Sequence, residues 1–173
     1  MPDDSTRAPL PEETEVANET AAVRDALRCR PGFLVRRLHQ IHLALFAEEC
    51  AAFEVTPVQY SLMTVLDKRR EIEQAAVAHE VGIDRATVAD VLARLEKAGF
   101  VRRRPSRTDR RIKLVELTAK GRSVLRAMDE AAQRAHDRTI AALPEPERSA
   151  FLESLARLVD AGNDYGRAPM RLR

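Results

Sequence analysis

The sequence predicts a mainly α-helical protein that carries one small β-hairpin. Apolar residues recur at helical spacing through most of the chain, while Phe100–Arg104 and Ile112–Leu117 alternate apolar and polar residues as paired strands do. Directly before this hairpin, a short helix, a Gly-containing turn and a longer helix follow one another from Val77. The order over Val77–Leu117 is typical of a winged helix-turn-helix, which lays one helix in a DNA groove and a hairpin in the next.

Composition limits the class of protein. The chain has 173 residues, 45% of them hydrophobic and 32% charged, which suits one substantial globular domain or two small lobes. No apolar run reaches about 18 residues, so we expect no membrane span. The N-terminus is acidic and rich in proline, without the apolar centre of a signal peptide. These features predict a cytoplasmic protein.

The charge is unevenly distributed although the net charge is only +2. Acidic residues dominate the first 19 positions, whereas the stretch from residue 102 to residue 113 holds seven basic residues and the single acid Asp109. The basic residues are Arg102, Arg103, Arg104, Arg107, Arg110, Arg111 and Lys113. Clustered positive charge predicts a surface for a polyanion, although a solubilising run is the common alternative.

Helices flank the motif on both sides. We expect an acidic, partly disordered tail over residues 1–30, with a short helix possible from Val16 to Leu27. Amphipathic helices are predicted over Phe33–Phe53, from Pro57 with Thr56 as N-cap to about Arg69, from Thr118 to about Leu143, and over Glu147–Asp160. The predicted lobes are a helical dimerisation lobe, 31–55 with 119–165, and a winged helix-turn-helix lobe, 56–118. Apolar faces left over on the outer helices predict a homodimer.

Within the motif, Glu73–Glu80 is the first predicted helix and Val81–Ile83 the turn, with Gly82 at its centre. Asp84 is placed to cap the second helix by accepting the amide near Thr87, and Gly99 to end it in a left-handed conformation. One face of this helix should pack inward, namely Val88, Val91, Leu92 and Leu95. The opposite face is small and polar, as a surface that approaches base edges must be.

With these features, the chain resembles the MarR family of winged-helix transcription regulators. The resemblance rests on Gly82–Gly99 and on a wing that runs from Val101–Arg–Arg–Arg–Pro through Asp109–Arg–Arg to Leu117–Thr118 and Gly121. It implies an obligate homodimer on a pseudo-palindromic operator. It also implies that Arg111 enters the minor groove while Asp109 orients it. The segment RPGFLVRRLHQIHLALF resembles the members that control aromatic-acid catabolism.

Two sets of site residues follow from the motif and the resemblance. The DNA-binding set is Arg85, Ala86, Thr87, Asp90, Arg94 and Lys97 on the helix, with Arg107, Asp109, Arg110 and Arg111 on the wing. Asp90 can accept from a cytosine amine but would be repelled by a phosphate. The ligand-binding set is Arg36, Arg37, His39, His42, Phe46, Tyr60 and Met63.

Both sets of residues also have a purely structural interpretation. The helix residues could form an ordinary solvated face, and the histidines and arginines of the ligand set could be interfacial residues and surface charges. A metal site from His39, His42 and His79 is less favoured because no carboxylate or cysteine completes a recognised spacing. Cys29 and Cys50 are too few for a disulfide framework.

The sequence therefore predicts a ligand-responsive transcriptional repressor that is released from DNA by a small aromatic acid or its coenzyme A thioester. The alternatives are a DNA-binding regulator or architectural protein without an effector, and a redox-responsive regulator acting through Cys50. No nucleophile elbow, phosphate-binding loop or acid–base pair is present, so neither enzymatic activity nor a cofactor is expected.

Overall fold

The computed structural model describes residues 23–166, 168 and 170. The chain divides into two compact units, the first ending at Ile41 and the second beginning at His42. Residues 23–28 of the first unit are helical, and helix α1, Pro31–Glu49, begins in this unit and ends in the second. The predicted acidic tail up to residue 22 lies outside the described residues. In the first unit Leu34, Val35 and Ile41 are all exposed.

In its described part, the second unit continues from the end of α1 with a 3-10 turn and nine further elements. In chain order these are the 3-10 turn Ala51–Phe53, α2 Pro57–Arg69, β1 Glu71–Glu73, α3 Gln74–Val81, α4 Arg85–Lys97, β2 Val101–Pro105, β3 Lys113–Leu117, α5 Ala119–Thr139, α6 Glu145–Ala161 and the 3-10 turn Asn163–Tyr165. None of the helices in the described part of the chain is long and apolar enough to cross a membrane.

The wing is a three-stranded antiparallel sheet in the order β1-β3-β2. Val115 in the central strand pairs with Ile72 on one side and with Arg103 on the other. The sequence predicted two strands, and the structure adds a third, β1. This strand was missed because three residues are too few for an alternating pattern to be recognised. This extra strand joins the sheet to the start of the helix-turn-helix.

The predicted helix caps are confirmed. Thr56 and Gln59 form a reciprocal capping box at the start of α2. Asp84 accepts the backbone N–H of Thr87 at 3.0 Å and so begins α4. Gly82 and Gly99 have φ values of 64° and 76°, the left-handed conformation that glycine adopts without strain.

Several predicted helix boundaries differ from the structure by one to four residues. The first long helix ends at Glu49, and only a 3-10 turn continues to Phe53. Helix α5 ends at Thr139, four residues before the predicted Leu143. Helix α6 begins at Glu145, earlier than expected, because a proline in the first turn of a helix loses no hydrogen bond.

The core lies where α2, α3, α4 and the sheet meet α5. Its fully buried side chains include Leu62, Leu66, Leu92, Leu95, Val88, Val115, Leu117 and Met128. The inward face predicted for α4 is confirmed, since Val88, Val91, Leu92 and Leu95 are all buried. Each such side chain contributes about 1.5–3 kcal/mol through burial, so packing fixes α4 against the other helices.

The C-terminal part of α1 is held on α5 by ion pairs. Glu49 contacts Arg134 at 2.9 Å and Arg138 at 2.6 Å, and Arg138 also reaches Glu48 at 2.9 Å. The hydrogen bonds from Arg134 and Arg138 lower the pKa of the Glu49 carboxyl below its usual value. The Glu49 side chain is only 16% exposed, but Glu48 and both arginines are exposed to solvent, so the pairs orient the two helices more than they stabilise them.

The start of α5, at Thr118 and Gly121, packs closely against the backbone of Gly99 and Phe100 that follows α4. Thr118 accepts the N–H of Gly121 at 3.0 Å, and its own hydroxyl donates to the carbonyl of Gly99 at 2.7 Å. A β-carbon at position 121 would lie 2.1 Å from the carbonyl oxygen of Phe100. The backbone segments approach so closely that only glycine fits.

We expect Gly121→Ala to destabilise the protein by about 1–3 kcal/mol, as overpacking of a rigid site does. The reason is the contact with the Phe100 carbonyl, which is backbone and cannot rotate away. Thermal unfolding measures the change, and Gly32→Ala is the matched control because nothing lies within 4 Å of its added β-carbon. Equal melting temperatures for the two variants would contradict the proposed packing.

Candidate nucleic-acid interface

Helix α4 presents one exposed face that contains all the helix residues expected to read DNA. Arg85, Ala86, Thr87, Asp90, Arg94 and Lys97 are exposed, whereas the opposite face is buried in the core. Helix α4 is 13 residues long, and its first residue is Arg85. A rigidly packed helix with its N-terminal residues exposed matches the geometry by which such helices enter a major groove.

Thr87 has a second role that its position in sequence did not reveal. Its hydroxyl donates to the carboxylate oxygen Oδ2 of Asp84 at 2.6 Å, while its backbone N–H donates to Oδ1 at 3.0 Å. The hydroxyl proton is therefore used within the helix cap. Thr87 retains an acceptor lone pair and its methyl group for contact with a base.

The basic residues of the strands are paired with acids. Arg102 contacts Glu116 at 2.6 Å, Arg103 contacts Glu96 at 2.6 Å, and Arg104 contacts Glu71. The seven basic residues between positions 102 and 113 thus include three whose charge is balanced by a carboxylate elsewhere in the chain. The sequence suggested a continuous basic run, and the structure corrects that interpretation.

The basic residues that remain lie at the tip of the wing and, for Lys113, at the start of β3. Arg107, Arg110, Arg111 and Lys113 are exposed, and within the described part of the chain their side chains form no hydrogen bond or ion pair. Beyond the hydrogen bonds from Arg103, the charge of Lys113 contributes to lowering the pKa of the Glu96 carboxyl, and Arg110 and Lys113 line a cavity together with Glu96. The positive surface is therefore narrower than the sequence indicated and is concentrated at the tip.

Asp109 shapes the turn that presents Arg111. Its carboxylate oxygen Oδ1 accepts the backbone N–H of Arg111 at 2.9 Å, and its carbonyl accepts the N–H of Ile112 at 3.0 Å. The carboxylate thus contacts the backbone of Arg111, whereas the resemblance implied that Asp109 orients the side chain. Fixing the backbone directs the start of the Arg111 side chain and leaves its guanidinium available.

Glu96 connects the end of α4 to the wing. Its carboxylate accepts three bonds from Arg103, from the backbone N–H at 3.1 Å, from Nε at 2.9 Å and from Nη2 at 2.6 Å. These bonds lower the pKa of the Glu96 carboxyl. The side chain of Arg103 is only 22% exposed, so this ion pair is shielded from solvent more than the others on the wing. It fixes the separation between the helix and the sheet.

Four aromatic rings of the second unit meet beside the end of α1. The His42 ring stacks on His136 with 5.1 Å between ring centroids, and Phe46 lies 6.0 Å from His42 and 5.8 Å from Tyr60. His42 Nδ1 also lies 2.9 Å from the hydroxyl of Thr139. Sequence reasoning predicted three of these residues but missed His136, because it lies on α5, far along the chain.

A cavity of about 230 Å³ adjoins this cluster at Tyr60, and its other lining residues are Thr64, Asp67, Lys68, Leu125, Arg126 and Asp129. The Tyr60 hydroxyl donates to Asp129 at 3.2 Å. Burial and this bond raise the pKa of Tyr60 above its usual value. The phenol is thus neutral at physiological pH and presents both a ring and a polar group to the cavity.

The other predicted ligand residues lie in different surroundings. Met63 is 0% exposed and belongs to the core. In the first unit, the guanidinium of Arg36 lies 5.3 Å from the centre of the Phe33 ring, Arg37 donates to Gln40 at 2.9 Å, and His39 is exposed. The structure therefore brings together the aromatic members of the set within the second unit.

The two cysteines differ in accessibility. Cys29 is exposed and Cys50 is buried. Burial and the nearby Glu49 carboxylate raise the pKa of the Cys50 thiol, which disfavours the reactive thiolate. Among the residues that the structure describes, no group of three or more histidine, cysteine or acidic side chains is placed to hold a metal ion.

Comparisons with known proteins agree with this geometry. Residues 55–113 match the model of the MarR family. The transcriptional regulator PcaV from Streptomyces coelicolor, solved in complex with its natural ligand, has 31% identity and a TM-score of 0.71, over 79% of this chain and 96% of PcaV. The chain belongs to the MarR family. The predicted resemblance and the winged-helix fold class are thereby confirmed.

Two other relatives indicate the kinds of regulator that share this MarR architecture. The HTH-type transcriptional repressor NicR from Pseudomonas putida is 29% identical over 78% of this chain and 85% of NicR. BpsR from Bordetella bronchiseptica, studied for the regulation of its DNA binding by 6-hydroxynicotinic acid, has 29% identity and a TM-score of 0.72, over 76% of this chain and 94% of BpsR. The MarR protein described here is a DNA-binding transcriptional regulator.

The paired and unpaired arginines of the wing should respond differently to substitution. We expect Arg103→Gln to lower the melting temperature, because it removes the bonds that Glu96 accepts from the side chain. Arg110→Gln should leave the melting temperature unchanged but reduce the slope of log affinity for DNA against log salt by about 1 per protomer. Thermal unfolding and fluorescence anisotropy measure the two effects, and an Arg110 variant that binds DNA as the unmodified protein does would contradict this assignment.

Proposed function

We propose that this MarR protein is a ligand-responsive transcriptional repressor that binds a pseudo-palindromic operator as a homodimer. A small aromatic acid or its coenzyme A thioester releases it from DNA. The proposal rests on three features of the second unit. Arginines at the wing tip are unpaired, the recognition helix is exposed, and four aromatic rings form a cluster. The first two features bind DNA and the third responds to a ligand.

Operator binding uses α4 in the major groove and the wing in the adjacent minor groove. Arg85 and Arg94 are suited to guanine edges or phosphates, and Arg111 to the minor groove. Asp90, which is exposed on the same face, can accept from a cytosine amine and would discriminate against phosphate contact. Repression is supported by the relationship to NicR, which is a transcriptional repressor.

Dimerisation is supported by apolar surface on the outer helices. Helix α6 contains no buried residue, and Leu152, Leu158 and Val159 are 53%, 70% and 46% exposed. Apolar patches of this kind usually mark an interaction surface. We assign 31–55 and 119–165 to a dimerisation lobe, in which a second copy of the chain covers these residues, and 56–118 to the DNA-binding lobe.

Effector binding is assigned to the cluster of His42, Phe46, Tyr60 and His136. Imidazole groups can donate hydrogen bonds to a carboxylate, and aromatic rings pack well against an aromatic ligand. The cavity of about 230 Å³ beside Tyr60 has room for a single ring rather than a whole coenzyme A group. The regulation of BpsR by 6-hydroxynicotinic acid supports an aromatic acid as the ligand class.

The effector acts by favouring one conformation of the dimer. In one arrangement of the dimer, the spacing of the two recognition helices does not match the operator. A ligand that binds this arrangement more tightly lowers the affinity for DNA. The coupling free energy between ligand binding and DNA binding is typically about 1–3 kcal/mol. The cluster suits this role because it joins α1, α2 and α5, so a ligand inserted there changes how these helices pack.

The alternatives receive less support. A redox-responsive regulator needs a reactive thiol, whereas Cys50 is buried with a raised pKa. An architectural protein without an effector would leave the aromatic cluster without a ligand-binding role. An enzyme is disfavoured because the relatives are transcription regulators.

A thermal-shift screen of aromatic acids and their coenzyme A thioesters tests the proposal, with each measurement repeated on the DNA complex. We expect one compound to raise the melting temperature of the free protein and to weaken DNA binding. His136→Ala should remove this response, whereas His79→Ala, which alters an exposed histidine of α3, should retain it. If neither set of compounds changes the melting temperature, the effector proposal is wrong.

A further inference from the structure

A cationic cavity lies between the recognition helix and the wing. It has a volume of about 340 Å³ and is bounded by the start of α3, the first residue of α4 and the end of the wing tip. Its lining residues are Glu73, Gln74, Ala75, Arg85, Arg111, Ile112 and Lys113. Three of them are cations and one is a carboxylate, so the cavity is net positive.

The position of this cavity has a geometric consequence for DNA binding. A major groove and the adjacent minor groove are separated by one sugar–phosphate strand. If α4 enters the first and the wing enters the second, that strand must pass between them. Arg85 on α4 and Lys113 on the wing both line the cavity. The cavity therefore lies where the phosphates of the separating strand pass.

Gln74 supplies an independent observation. Its amide oxygen Oε1 is buried and has no hydrogen-bond partner in the described part of the chain. A buried acceptor without a donor costs free energy, so most native structures avoid one. The cavity that Gln74 lines contains two arginines and a lysine, whose N–H groups are the donors that the oxygen lacks.

We propose that this cavity holds the DNA phosphate that separates the two grooves, with Gln74 as a positioning residue. Arg85 and Lys113 bind the phosphate by charge, and the N–H groups in the first turn of α3, which have no partner within the helix, face the same anion. Gln74 Oε1 accepts a hydrogen bond from one of the cations as it turns toward the phosphate. Glu73 opposes the anion and limits the affinity.

This inference rests on the proposed DNA binding. It predicts variants that change the affinity for DNA without lowering the melting temperature. Gln74→Leu removes an unsatisfied buried oxygen, so the melting temperature should be unchanged or higher while DNA affinity falls about tenfold. Lys113→Gln should reduce the salt slope by about 1 per protomer and weaken operator and random DNA equally. Glu73→Gln should tighten binding.

Fluorescence anisotropy with the duplex that the unmodified protein selects from a random pool measures these affinities at several salt concentrations. Gln133→Leu and Lys68→Gln are the matched controls, measured without an effector, because they make the same chemical changes at exposed positions outside the cationic cavity. Gln74 and Lys113 variants that bind as the controls do would overturn the inference. A loss of affinity that accompanies a lower melting temperature would also overturn it, because the role of Gln74 would then be structural.

The phosphate itself can be located with duplexes that carry one neutral methylphosphonate at a time. At one position of each half-site, the substitution should weaken binding of the unmodified protein but cause no further loss with Lys113→Gln. If no position shows this dependence, the cavity does not hold a phosphate. Failure of the unmodified protein to select any duplex would instead contradict DNA binding as a whole.

Discussion

The pairing of Glu96 with Arg103 is the interaction that connects the recognition helix α4 to the wing. Two DNA-reading elements are useful together only if their separation matches that of adjacent grooves. Glu96 lies near the end of α4 and accepts both the backbone N–H and the guanidinium of Arg103 on β2. A bond to the backbone fixes the strand itself, and the bonds to the guanidinium fix its orientation. Packing of α4 in the core then extends this constraint to the whole unit.

The distribution of charge follows from the same arrangement. Arg102, Arg103 and Arg104 lie on β2, where neighbouring elements supply Glu116, Glu96 and Glu71 as partners. Arginine side chains thus serve two purposes within twelve residues. On the strand they hold the wing together, and at the tip they remain available to a polyanion. A protein with a net charge of only +2 can in this way present a concentrated positive surface.

Most of the fold could be predicted from the sequence because local signals specified it. Thr56, Asp84 and Thr118 cap their helices as expected, and Gly82 and Gly99 adopt the left-handed conformation. Features that depend on contacts between distant segments could not be predicted. Strand β1 is defined only by its pairing with β3, whose residues follow more than 40 positions later. The recognition-helix face was predictable because helical periodicity alone separates buried from exposed residues.

The candidate sites were predicted less completely, for the same reason. The partners of the strand arginines come from three different elements, and no local pattern indicates them. His136 joins His42 and Phe46 across 90 or more residues, so its role depended on how α5 packs. Gln74 is recognised only through the burial of its amide oxygen, a property of the folded chain. The sequence indicated the residue types that suit DNA, and the structure separated the arginines that are paired with carboxylates from those that are exposed at the wing tip.

Hydroxyl-radical footprinting of the operator complex tests most directly whether α4 and the wing act as one rigid reading unit. The unmodified protein should protect the minor groove that flanks each recognition-helix site. Glu96→Gln should weaken that flanking protection while the footprint over the recognition-helix site is retained, because the wing is then no longer held at a fixed distance from α4. If the variant protects both regions as the unmodified protein does, Glu96 does not set the spacing and this account of recognition is contradicted.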